Sequence, residues 1–142
     1  MEETIGNYTA TIEVRVDSHY TDGVVSMGTI VELFGMAGTK LAYLFDGDAG
    51  LMRAFSEIEF LAPVYHADYV QVEARLVGVG NTSRRRAYDA HVTARTYGID
   101  ACPTAGVVLQ PPLLIARAIG TSVTPLGRQR TTPQQWRGRA KT

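Results

Sequence analysis

Cysteine is almost absent: Cys102 is the single one in 142 residues, so no disulfide forms within the chain. One thiol in a globular domain fits a reducing cytoplasm, which is the expected location. Surplus charge is absent too. Fourteen basic residues meet 14 acidic ones, which argues against a dedicated nucleic-acid binder. The N-terminus, Met1-Glu-Glu-Thr-Ile5, is acidic and has no apolar run, so it does not read as a signal peptide. The longest apolar segment, 24–45, is broken by Glu32, Lys40 and three glycines, too often for a membrane span. There is no repeat, no Gly-rich phosphate loop and no Gly-x-Ser-x-Gly elbow. His19, His66 and His91 are far apart and lack companions at ligand spacing, so no metal site is expected. Asp46-Gly-Asp48 starts like a calcium loop, but the later ligands do not follow; it reads as a turn. The length suits one domain, placed at 1–130. The segment 131–142 is basic, without an acid, and is expected to be a flexible tail.

What is present is strong patterning. In 9–17, Ala10, Ile12, Val14 and Val16 alternate with polar residues, which predicts a half-buried strand. Residues 24–45 follow a polar turn and are apolar on nearly every side. Val24, Met27, Val31, Phe34, Leu41 and Leu44 keep helical spacing, while Val25, Ile30, Leu33, Met36 and Ala37 fill the rest. A helix of that kind has to be wrapped by other structure. Strands are predicted over 51–61, 69–77, 84–95 and 113–123, with a hairpin at 78–81 and a loop at 98–112. The last strand is apolar on both faces, which points to a central position. This order predicts an α+β hotdog fold, an antiparallel sheet wrapped around one long central helix. A single such sheet leaves an edge open, so a homodimer or higher homo-oligomer is expected.

The stretch Phe55-Ser-Glu-Ile-Glu-Phe-Leu-Ala-Pro-Val-Tyr65 carries two acids among apolar residues. Strict alternation puts Glu57 and Glu59 on one face with Phe55. A carboxylate held among apolar groups has a raised pKa, as a general base or acid at neutral pH requires. The alternative is an exposed edge position, or pairing with an arginine.

Several blocks then occur together: Leu33-Phe-Gly35, Gly38-Thr-Lys-Leu41, Asp46-Gly-Asp48, Glu57-Ile-Glu-Phe-Leu-Ala-Pro-Val-Tyr65, Gly80-Asn-Thr-Ser-Arg84 and Arg117-Ala-Ile-Gly-Thr121. With His19-Tyr-Thr21 ahead of them, the chain over 9–130 resembles the hotdog-fold β-aminoacyl-CoA ammonia-lyases. The resemblance implies an enzyme that adds or eliminates an amine at the β-carbon of an acyl thioester, on CoA or a carrier protein, with no separate cofactor and no metal. It implies Glu59 as the proton carrier, with His19 and Tyr20 lining the pocket. Backbone N–H groups at the helix start, near Gly28, would hold the charge on the thioester oxygen. Met27, Phe34 and Met36 would set the acyl pocket. Asn81, Ser83, Arg84 and Arg85 would meet CoA phosphates, against a plain reading as a solvated charge run. Where the relatives carry an aspartate after Leu-Phe-Gly, this chain has Met36, which weakens the attraction for an ammonium group. An amino acid such as glycine as the amine, or simple thioester hydrolysis, are the readings this opens. A non-catalytic acyl-CoA sensor would need a further domain, and no segment is spare for one.

Overall fold

The computed structural model describes residues 3–17, 22–98 and 100–129. The elements in chain order are β1 (Thr9–Arg15), α1 (Met27–Asp46), β2 (Leu51–Phe60), β3 (Tyr69–Val79), β4 (Ser83–Thr96), β5 (Gly106–Val123) and a 3-10 turn, Leu126–Arg128. The five strands form one antiparallel sheet in the order β1-β3-β4-β5-β2. β5 is thus interior, paired on both sides, while β4 holds the centre.

The helix starts three residues later than its apolar run. Val24 bridges to Tyr65, and the Val25 amide donates to the Val64 carbonyl at 2.8 Å, so both stay extended. Ser26 then caps the helix, its Oγ accepting from the Gly28 amide at 3.2 Å. At the other end Gly47 takes φ 72° and closes the last turn, the left-handed cap that glycine tolerates best. Asp46, Arg84 and the β3–β4 turn lock that end in place. Arg84 holds Asp46 through Nε at 2.8 Å and Nη2 at 2.9 Å, and its Nη1 donates to the Gly80 and Ser83 carbonyls.

Ile30, Leu33, Phe34, Ala37 and Leu41 face Val70, Val72, Ala74, Leu76 and Val92 across a fully buried layer. Each large side chain there contributes roughly 1.5–3 kcal/mol by leaving water. The helix lies over β1, β3 and the near part of β4. The sheet therefore covers one face of it, and Met36, Tyr43 and Leu44 on the far side are exposed. Strand β5 begins at Gly106, inside the expected loop, because Val108, Val107 and Gly106 pair with Ala94, Arg95 and Thr96. The Pro111–Pro112 pair falls where the β4–β5 register skips, between Val92 and Ala94.

Candidate active site

Strand β2 decides which side chains can meet. It is an edge strand with register shifts at Met52/Ala54 and at Phe55/Glu57. Each shift inserts one residue and inverts the alternation that follows. Phe55 is opposite Gly120 and packs on Phe34 and Tyr88, at ring-centroid distances of 6.5 and 6.0 Å. Glu57 is opposite Ile119, and Glu59 is opposite Arg117. Met52, Phe55, Ile58 and Phe60 therefore share the helix side, whereas Glu57 and Glu59 face away from it. This corrects the expectation that Phe55 and the two acids share a face.

On the helix-free face the sheet forms a concavity of about 530 Å³ lined by Glu57, Glu59, Arg75, Arg85, Asp89 and Arg117. Acids and arginines balance there. Arg117 Nε lies 3.7 Å from Glu59 Oε1, with side-chain exposures of 50% and 58%. Glu59 is thus an open edge carboxylate paired with an arginine. Its apolar neighbours in sequence point through to the other side, so the described residues do not form the expected apolar enclosure around it.

A second hollow, about 300 Å³, opens on the helix side at the helix start, lined by Met27, Phe60, Leu61, Ala62 and Pro63. Gly28 is exposed beside it. Glu32 and Met36 follow Gly28 at successive four-residue steps, so the three share a flank of the helix. Met36 is 48% exposed. Glu32 is exposed and has no hydrogen-bond or ion-pair partner among the described residues. Phe34 points the other way, into the core, fully buried against Tyr88 at 5.3 Å. The expected pocket set is therefore split: Met27 and Gly28 come together, Met36 stands on the outer flank, and Phe34 is a core residue. His19 and Tyr20 lie outside the described residues, as do Arg130 and the tail 131–142.

The arginine run also divides. Arg84 is 4% exposed and committed to Asp46, so its expected role on CoA phosphate is replaced by a structural one. Arg86 is likewise buried on the helix side, and Arg85 alone of the three reaches the helix-free concavity. Asn81 is exposed and Ser83 half-buried; the Asn81 carbonyl accepts from Gln129 Nε2 at 2.7 Å. Burial pushes the Tyr88 phenol above its ordinary pKa, and the neighbouring Arg86 only partly opposes this. Asp48 accepts from the Gly50 amide and pairs with Arg128 at 2.9 Å, which makes Asp46-Gly-Asp48 a cap and turn. His66 is exposed, and His91 is half-buried on the helix-free face. Among the described residues no group of three or more His, Cys, Asp or Glu could hold a metal, and no helix is long and apolar enough to cross a membrane. Sequence reasoning gives no role to Arg117, Asp89 or Glu32, and offers Arg86 only as a member of the Arg84-Arg-Arg86 run for phosphate. Arg117 was visible as the polar residue opposite the strand that carries Glu59, and Glu32 as the acid one turn beyond Gly28.

A long helix laid over an antiparallel sheet of this strand order is the hotdog fold. Residues 22–99 match the family described as the Thioesterase superfamily. Over 116 residues, 80% of this chain and 90% of the relative, the sequence is 40% identical to a 3-aminobutyryl-CoA ammonia lyase of Acetoanaerobium sticklandii. The structure is similar to the β-alanyl-CoA:ammonia lyase of Clostridium propionicum, with a TM-score of 0.81 and 29% identity over 86% of this chain and 88% of that one. A hexameric hotdog-fold thioesterase of Campylobacter jejuni shares the fold at a TM-score of 0.64 and 16% identity, covering 92% of this chain and 95% of that one. The chain belongs to the thioesterase superfamily and, within it, to the hotdog-fold β-aminoacyl-CoA ammonia-lyases.

Proposed function

We propose that the protein is a carbon–nitrogen lyase that adds or eliminates an amine at the β-carbon of an acyl-CoA of the 3-aminobutyryl type. The observation that carries this reading is the 40% identity with the 3-aminobutyryl-CoA ammonia lyase across 80% of the chain. Elimination needs a carboxylate at the α-carbon and a donor for the thioester oxygen. The carboxylate takes the α-proton, and the Cα–H pair becomes the Cα=Cβ bond. The Cβ–N pair leaves with nitrogen, and the carboxyl returns the proton to it. Addition is the reverse. Charge on the thioester oxygen is met by the amide end of the helix near Gly28.

Two acids compete for the proton. Glu59 matches the family position, but it opens on the opposite face from the helix start. Glu32 stands on the Gly28 flank, one turn or ~6 Å along the helix, close enough for a carboxylate to reach the α- and β-carbons of a thioester held at the amides. The geometry favours Glu32 as proton carrier and as the anion that draws an ammonium group in the place Met36 leaves uncharged. Glu59 then serves with Arg117, Arg85 and Arg75 on the helix-free face, where the arginines suit the CoA phosphates. No cofactor beyond the CoA of the substrate is required, and a cytoplasmic setting belongs to the reading. So does a homodimer or higher homo-oligomer across the β2 edge, which would cover Met52, Ile58 and Phe60.

The test follows elimination from 3-aminobutyryl-CoA in Glu32→Gln and Glu59→Gln. Loss of a general base costs about 10²–10⁴-fold. The expected result is that loss in Glu32→Gln and much less in Glu59→Gln; the reverse pattern would give the proton back to Glu59. The superfamily match over 22–99 supports thioester hydrolysis as the second reading. Stoichiometric free CoA during turnover would favour it.

A further inference from the structure

Arg86 carries a charge that the described residues do not balance. Its side chain lies on the helix side of β4, the residue is 3% exposed, and its guanidinium meets two hydroxyls, Tyr88 Oη at 3.4 Å and Ser122 Oγ in closer contact. Tyr88 stays a neutral phenol at physiological pH, since burial raises its pKa. The nearest buried carboxylate on the helix, Asp46, is held at both oxygens by Arg84. No acid among the described residues is within ion-pair distance of Arg86. A guanidinium cannot shed its proton to escape the cost of burial. An anion brought to it would offset that cost.

The helix packs directly on the guanidinium at one glycine and leaves an open flank at the next one back along the chain. Gly38 passes so close that an added Cβ would lie 2.6 Å from Arg86 Nη1 and 2.6 Å from Tyr88 Oη. Gly38 also belongs to a stripe of glycine, alanine and one valine, Gly28, Val31, Gly35, Gly38 and Ala42, at alternating steps of three and four. A Cβ added at Gly35 would meet nothing within 4 Å, so the helix flank beside it is open. The cross-strand row from Arg86 to the free edge of the sheet runs through Gly120 to Phe55. Gly120 has no side chain, and the Phe55 ring lies over it, 3.1 Å from where a Cβ would be. That ring on the edge strand is what a ligand coming from the helix side must displace to meet Arg86.

We propose that Arg86 anchors a carboxylate carried by the substrate, which makes the preferred thioester an anionic one. This rests on the acyl-CoA reading above and specifies its substrate class. The carboxylate has two possible sources, the far end of the acyl chain or the amine that adds to it. Length favours the first: Gly28 and Gly38 are ten residues, or ~15 Å, apart along the helix. After a contact of about 3 Å at each end, the thioester carbonyl and the carboxylate are separated by about seven carbon–carbon bonds. That is the length of a C8 dicarboxylic acid held as its monothioester.

The experiment measures equilibrium binding of octanedioyl-CoA and octanoyl-CoA, both saturated and inert to amination, by calorimetry on the whole protein. The wild type is expected to bind octanedioyl-CoA at least about tenfold tighter, as a bidentate carboxylate contact implies. Arg86→Gln should remove the preference and Arg86→Lys should keep part of it. Equal binding in the wild type, or a preference that survives in Arg86→Gln, would overturn the proposal. If Arg86→Gln does not fold, Arg86→Lys decides: a preference fully retained there would overturn the proposal, and a reduced one would support it. A second arm compares 3-(carboxymethylamino)butyryl-CoA with 3-aminobutyryl-CoA; an Arg86-dependent preference there instead of with octanedioyl-CoA would keep the anchor and assign the carboxylate to the amine. Failure of the lyase reading is seen separately: crotonyl-CoA would not be aminated while the octanedioyl preference stood.

Discussion

Replacing Arg84 by methionine would leave Asp46 buried without its cation. The pair is 4% exposed on both sides, and Arg84 makes two bonds to the carboxylate and two to backbone carbonyls of the β3–β4 turn. The guanidinium carbon lies over the Phe45 ring, 5.1 Å from its centroid. Breaking a buried pair by removing one partner costs about 3–5 kcal/mol, because the other charge remains. For a chain of this size one kcal/mol moves the melting temperature by about 2–4 °C. A fall of roughly 10 °C is therefore expected at fixed protein concentration, followed by circular dichroism. The double variant Arg84→Met/Asp46→Leu should recover most of the loss, since a well-packed apolar pair can replace a buried ion pair. Affinity for CoA, measured below the lowered transition, should be unchanged in both. A melting temperature within a degree or two of wild type, together with lost CoA affinity, would refute the structural assignment and return Arg84 to the phosphates.

Three further outcomes are expected. Tyr88 has a folded pKa above its ordinary 10.0, so its contribution to stability is complete below pH 10 and lost as pH rises through the folded value; urea midpoints measured across that range should decline in the wild type and decline less in Tyr88→Phe. Ser26→Ala removes the oxygen that caps the Gly28 amide and should cost about 1 kcal/mol in a denaturant titration. Ile58→Lys places a charge on the exposed apolar side of the β2 edge and should shift sedimentation toward the monomer; unchanged sedimentation in a folded variant would remove β2 from the oligomer contact.

The sequence made the frame legible where one physical signal acted alone. Strict alternation marked β1, β3 and β4 to within a few residues, and the long apolar run marked the helix. It was less informative where two signals overlapped. Val24 and Val25 continue the apolar run, but pairing with Tyr65 and Val64 holds them extended, and the Ser26 cap sets the true start. In β2 the apolar residues Met52, Phe55 and Ile58 recur every third position, a spacing that fits no regular strand. Two register shifts absorb it, and the same shifts turn Glu57 and Glu59 away from Phe55. Burial of an acid cannot be read from its sequence neighbours on an edge strand, where those neighbours point to the opposite face. The Arg84-Arg-Arg86 run illustrates the converse: it looks like a solvated charge cluster, yet two of its members are buried. Only the partners, Asp46 for one and the hydroxyls of Tyr88 and Ser122 for the other, reveal why.

The central claim is carbon–nitrogen bond chemistry with the thioester intact. The most direct measurement is mass spectrometry of crotonyl-CoA incubated with the protein and ¹⁵N-labelled ammonium. The account predicts a labelled 3-aminobutyryl-CoA with CoA still attached, formed by the wild type and strongly reduced in Glu32→Gln. Release of crotonic acid and free CoA, with no labelled adduct, would contradict it and make the protein a thioesterase.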